Sequence, residues 1–233
     1  RGVLLFGYFL LDKQEKVALG AGREHPALKQ RRPQGGSTET KVQSKVNSVD
    51  SAFPLPFDAG EQVLGLAAKV RLVLFDVDGV LTDGRLVLGD DGQEYKAFNS
   101  KDGHGIKMLQ RHGVATGIIT GRSSRVVEHR VLDLGIQHVY QGRQEKLPAY
   151  EELLAKLGLA HEQAAFLGDD VVDLPIMLQV GLAAAVQNAH PLAKQHAHWV
   201  TPSIGGYGAA RELCELILFA QGAYGAEMQK YLR

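Results

Sequence analysis

Residues 72–84 read LVLFDVDGVLTDG, so four apolar side chains run straight into Asp76, Asp78 and Asp83. Carboxylates this close repel one another unless a cation or a reaction holds them together. Farther along, Thr120 begins TGR, Lys146 ends GRQEK, and Asp169, Asp170 and Asp173 fall in GDDVVD. Acids, a hydroxyl and cations of this kind fit phosphoryl transfer through a covalent aspartyl phosphate. A carboxylate nucleophile is ionised near neutrality, but it must approach a phosphate of its own sign. A divalent cation bridging the two removes that difficulty, and Mg²⁺ suits hard oxygen ligands. The expected ligands are the side chains of Asp76 and Asp169 and the backbone carbonyl of Asp78. Asp76 is the expected nucleophile. Asp78 is the expected acid toward the leaving alkoxide and then the base toward water. Thr120 and Lys146 are expected to hold the phosphoryl oxygens.

Such residues work only if the chain gathers them. Short apolar runs predict strands at 71–75, 115–119, 138–141, 164–167, 183–186 and 198–200. Amphipathic stretches predict helices at 58–68, 105–112, 125–134, 146–157, 174–180, 191–195 and 208–222. Strands alternating with helices predict an α/β fold, a doubly wound and mainly parallel sheet covered on both faces. In such sheets ligands sit beyond the carboxyl ends of the strands, and the residues above follow predicted strand ends. One insertion breaks the alternation. Residues 84–98, GRLVLGDDGQEYKAF, read as a β-hairpin turning at Asp90-Asp91-Gly92. Its apolar Leu86, Leu88, Tyr95 and Phe98 need a surface, either their own domain or the same arm of another subunit, and the second would protect exposed edges.

DVDGVLTDG, IITGR, the Lys of GRQEK and GDDVVDLP, in that order, resemble the four motifs of the haloacid-dehalogenase-like phosphatases. The hairpin, FNSKDGHGIKML and the ending GGYGAARELCELIL resemble the branch acting on 3-deoxy-D-manno-octulosonate 8-phosphate in lipopolysaccharide synthesis. The likeness spans residues 60 to 222. It implies a Rossmann-like core without a large cap domain. It also implies Asp76 as nucleophile, Asp78 as acid and base, and Mg²⁺ on Asp76, Asp78 and Asp169, with Asp170 close by. For the substrate, a small sugar acid phosphate, it implies Asp78, Asn99, Ser100, Lys101, Asp102, Gly103, Lys107, Arg122, Arg130, Lys146 and Asp170. It further implies a homotetramer in which a neighbouring subunit closes the site, with the Gly205–Gly208 tail and Arg211 reaching toward an adjacent one. Arg pairing with both carboxylate and phosphate agrees with such a substrate.

Several alternatives stay open on the residues alone. Asp173 either caps the next helix or orients Lys146 and the metal site. His104 either touches substrate or only begins a helix. A nine-carbon sialic-type acid 9-phosphate carries the same two charged ends. A phospho-accepting signalling module also combines acids, a Thr and a Lys, but the Asp76-x-Asp78 pair supplies a built-in base for hydrolysis.

Composition narrows the class. Lys plus Arg and Asp plus Glu are each 26 of 233 residues, so no basic field points to nucleic acid or an anionic membrane. Cys214 is the single cysteine, which excludes an internal disulfide and suits a reducing cytoplasm. The apolar stretch 3–11 is too short to span a bilayer. Residues 12–52 show no apolar period, and we expect residues 1–57 to lie outside a catalytic domain at 58–233.

Overall fold

The computed structural model describes residues 52–232, so most of the expected N-terminal extension lies outside the described residues. A six-stranded sheet is formed by β1 (Leu72–Phe75), β4 (Ala115–Ile119), β5 (His138–Tyr140), β6 (Ala164–Gly168), β7 (Leu182–Ala185) and β8 (Trp199–Val200). Every pairing in it is parallel, in the order β5-β4-β1-β6-β7-β8. The chain thus builds outward from β1 to β5, returns, and builds outward again from β6 to β8. Its switch point lies between β1 and β6, where open α/β sheets bind ligands. Strand β1 is central, with all four side chains fully buried, which is why LVLF is continuous rather than alternating.

The helices are α1 (Gly60–Ala67), α2 (Ser100–Arg111), α3 (Arg125–Leu134), α4 (Leu147–Leu157), α5 (Leu174–Met177), α6 (Pro191–His196), α7 (Ala209–Ala220) and α8 (Tyr224–Gln229). Helix α3 has the expected bounds, and Gly135 ends it in the left-handed conformation. Helix α2 begins five residues before the expected Gly105, because Asn99 accepts a hydrogen bond from the Lys101 N–H at 2.8 Å and caps it. Helix α8 was not expected from the sequence. Its Glu227 is fully buried and draws in Arg111, His112 and Lys230. Trp199 is buried, with its ring 5.4 Å from that of Phe57, and Cys214 is buried in α7.

The insertion is a hairpin of two short antiparallel strands, β2 (Val87–Leu88) and β3 (Glu94–Tyr95). Phe98 packs toward the core, with the Arg130 guanidinium 5.6 Å from its ring centre. Leu86, Val87, Leu88 and Tyr95 stay exposed, so the arm does not fold its apolar side onto its own domain. No helix among the described residues is long and apolar enough to cross a membrane.

Candidate active site

Sheet register decides which side chains meet. Phe75 is level with Ile118 on β4 and Leu167 on β6, so Asp76 leaves the sheet beside Thr120 on one flank and Asp169 on the other. The Asp76 N–H still donates to the Leu167 carbonyl at 3.1 Å, which anchors the nucleophile candidate to the strand end. Gly79 then turns with φ +95, and a Cβ there would run into the Asp169 carboxylate, so this position needs glycine twice over.

A cavity of about 190 Å³ opens at this rim, lined by Asp76, Asp78, Thr120, Gly121, Arg122, Gln144, Lys146, Asp169, Asp170 and Val172. Seven of these are expected site residues, while Gly121, Gln144 and Val172 carry no expected role in the sequence. Gln144 donates to the Gly121 carbonyl at 2.9 Å and so fixes the loop after β4.

Lys146 is nearly buried, with its ammonium 2.6 Å from Asp173 Oδ1 and 2.9 Å from Asp76 Oδ1. Burial alone would favour the neutral amine, but Asp76 and Asp173 outweigh it and its pKa is raised. Asp173 is fully buried and does not cap α5 with its side chain. Its second oxygen accepts from the N–H groups of Asp169 at 2.9 Å and Asp170 at 3.3 Å. Of the two readings open for Asp173, the structure therefore favours the one that orients Lys146 and the Asp169 turn.

One oxygen each from Asp76, Asp169 and Asp173 lie within 4.8 Å of one another. Asp173 spends both its oxygens on Lys146 and the backbone, which leaves Asp169 and Asp76, the latter also near Lys146, as the carboxylates able to take a cation. Asp76 Oδ1 is buried, and Lys146 is close but not aligned to donate a hydrogen bond to it. Burial first, and then Asp173, push the Asp76 carboxyl up to about 6. Burial first, and then Asp76 and Asp173, push Asp169 up to about 8. Both carboxyls are pushed upward because burial and neighbouring acids outweigh the single Lys146 charge, so the pair is short of positive charge. A divalent cation with hard oxygen preference fits that deficit, and Asp76 and Asp169 would hold it.

The other expected site residues lie elsewhere. Ser100 to Gly103 form the first turn of α2 and do not line this cavity. Asp102 is buried and accepts from the N–H groups of Arg211 at 2.8 Å and Gly208 at 3.3 Å, so it holds the start of α7. Burial raises its pKa. Arg130 donates to the Asn99 carbonyl at 3.1 Å and pairs with Asp133 at 3.0 Å. Lys107 lies half-buried on α2. His104 meets the Tyr231 hydroxyl at 2.9 Å rather than the cavity.

The Gly205–Gly208 segment packs on its own chain's first motif. Gly206 donates to the Val80 carbonyl at 2.8 Å, and Gly205 to Asn188 Oδ1 at 3.0 Å. A Cβ on Gly205 would overlap the Gly79 carbonyl oxygen. Because the obstacle is backbone, Gly205→Ala should cost ~1–3 kcal/mol, read as a lower denaturation midpoint, and should disturb the Asp76 loop.

Residues 135–213 match a haloacid dehalogenase-like hydrolase family. The chain is 51% identical over 161 residues to the 3-deoxy-D-manno-octulosonate 8-phosphate phosphatase KdsC of Yersinia pestis, covering 69% of this chain and 86% of that one. It is 49% identical over 160 residues to KdsC of Escherichia coli K12, covering 69% and 85%. The crystal structure of the 3-deoxy-D-manno-octulosonate 8-phosphate phosphatase of Moraxella catarrhalis, in complex with magnesium ion, phosphate ion and KDO, superposes with a TM-score of 0.72. Identity there is 38%, and the match covers 73% of this chain and 98% of that chain.

Proposed function

The chain belongs to the 3-deoxy-D-manno-octulosonate 8-phosphate phosphatases, haloacid dehalogenase-like hydrolases, and from that membership we propose how its site works. It hydrolyses 3-deoxy-D-manno-octulosonate 8-phosphate to the free sugar acid and phosphate, a step of lipopolysaccharide synthesis. The observation that carries the reading is the meeting of Asp76, Asp169 and Lys146 at the switch point of the sheet.

Mg²⁺ held by Asp76 and Asp169 supplies the positive charge that lets a carboxylate approach a phosphate. An Asp76 carboxylate oxygen attacks phosphorus, the phosphorus–oxygen bond to the sugar breaks, and protonated Asp78 gives its proton to the departing alkoxide. Asp78 then takes a proton from water as the water oxygen attacks the same phosphorus. The bond from Asp76 to phosphorus breaks, phosphate leaves, and Asp78 is again protonated. Lys146 and Thr120 hold phosphoryl oxygens as charge shifts. Arg122 stands at the cavity rim, half exposed and paired with Glu94 at 2.7 Å, and can exchange that partner for the sugar acid. The test is phosphate release from a panel of sugar phosphates with and without Mg²⁺. Rapid, Mg²⁺-dependent release from the eight-carbon acid 8-phosphate is expected. Comparable rates on a nine-carbon sialic-type acid 9-phosphate would remove the substrate assignment.

The assembly belongs to the same proposal. The exposed Leu86, Val87, Leu88 and Tyr95 support a homotetramer closed through its hairpins. Asn99, Ser100, Lys101, Lys107 and Arg130, away from this chain's cavity, would then serve a neighbouring site, whereas Gly103 is buried against Arg130 and Leu134 of its own chain. Leu88 is 64% exposed, so Leu88→Asp should leave the protomer folded while shifting sedimentation from tetramer to smaller species. A wild-type monomer would end this reading. A single, buried, unpaired cysteine supports a cytoplasmic location.

A further inference from the structure

The hairpin brings a charge to the site as well as apolar surface. Lys96 follows β3, and its side chain is only 1% exposed. Its ammonium donates to Asp78 Oδ1 and lies 3.4 Å from Glu94 Oε1. A charge buried this far persists only with its partners in place. Glu94 also holds Arg122 at 2.7 Å, so the hairpin carries a small ionic frame up to the cavity wall.

Within this frame the two oxygens of Asp78 differ. Oδ1 is taken by Lys96. Oδ2 is buried, accepts no hydrogen bond, and lies 3.6 Å from Arg122 Nε. An unsatisfied buried carboxylate oxygen is costly, and such atoms are kept where chemistry uses them. Asp78 lines the same cavity as Asp76. We propose that Lys96 is a positioning residue for the acid–base step: by fixing Oδ1 to the hairpin, it leaves Oδ2 as the atom that gives and takes the proton. The inference rests on the role given to Asp78 above. It makes the insertion part of the catalytic machinery of each protomer as well as a surface for assembly.

Leaving-group dependence tests it. A sugar alkoxide needs a proton as it departs, whereas p-nitrophenolate does not. In single-turnover mixing, Lys96→Met should slow release of the sugar acid on the order of 100-fold or more. The first-turnover burst of p-nitrophenolate from p-nitrophenyl phosphate should change by less than about threefold by the same reasoning. Lys96→Arg should recover most of the sugar phosphate rate. Thermal melts report whether each variant is folded, and Lys96→Gln, expected to show the same split, carries the test if the methionine variant does not fold. Equal losses on both substrates in a folded variant, or no loss on either, overturn the assignment. Asp78→Asn should show the same split as Lys96→Met. A split in Asp78→Asn alone removes the role of Lys96, whereas its absence from both removes the acid–base role of Asp78 itself.

Discussion

Asp76→Asn should lower turnover on the order of 10⁴-fold or more, because the amide cannot form the phosphoester that every later step consumes. The same variant should not be destabilised in metal-free protein at pH 8. Asparagine keeps the shape of Asp76 and removes a charge that burial and Asp173 oppose. Lys146 keeps Asp173 at 2.6 Å, so it is not left alone in the interior. The sign follows from linkage. The folded-state value, about 6, lies above the ordinary 3.8, so folded protein holds a proton that unfolded chain has released. This carboxyl therefore contributes falling stability as pH rises from about 4 through 6, and none is regained above that. Phosphate release and a melt in EDTA read the two halves of the prediction. Residual turnover within tenfold of wild type would remove Asp76 as nucleophile, and a large fall in melting temperature would show that its charge is needed for folding.

Much of this site was legible because strand ends are legible. LVLF against the acids gave β1 to within a residue, and β4 and α3 have their expected bounds. What could not be read was adjacency across the sheet. Nothing local in GDDVVD states that β6 lies beside β1, and only that register brings Asp169 to Asp76. The start of α2 at Ser100 rather than Gly105 rests on the Asn99 cap, and Gly103 within its first turn hides that start in the sequence. In the fold Gly105 is a close-approach position, where a Cβ would stand 3.1 Å from Arg211 Cα on α7. Helix α8 follows Gly222 without an apolar period, because its anchor is the buried charge of Glu227. Lys96 is not legible in the sequence, because a lysine in a hairpin reads as a solvated surface charge. Only the tertiary fold shows it enclosed against Asp78.

Asp169→Asn should abolish the response of the protein to Mg²⁺, in stability as well as in activity. In the metal-free site burial, Asp76 and Asp173 hold the Asp169 carboxyl up to about 8. Between the ordinary 3.8 and that value the folded state binds the extra proton. Stability of metal-free wild type should therefore decline as pH rises from 5 to 8, with a gradient approaching ~1.4 kcal/mol per pH unit where one proton is at stake. Mg²⁺ competes with that proton, so its benefit should grow with pH. At a free concentration near 100 times its dissociation constant it adds about 2.7 kcal/mol, which is roughly 5–10 °C in a domain of this size. Asparagine neither titrates nor attracts the ion as a carboxylate does. The variant should thus melt higher than wild type in EDTA at pH 8, show a flatter pH profile, gain little from Mg²⁺, and release phosphate far more slowly. Melts at pH 5 and pH 8, each with EDTA or Mg²⁺, separate these outcomes from a simple loss of packing, which would lower all four temperatures together. An Asp169→Asn protein that Mg²⁺ stabilises as much as wild type would place the ion on other ligands. The two carboxylates at the switch point would then need a different cation to explain why they are held so close.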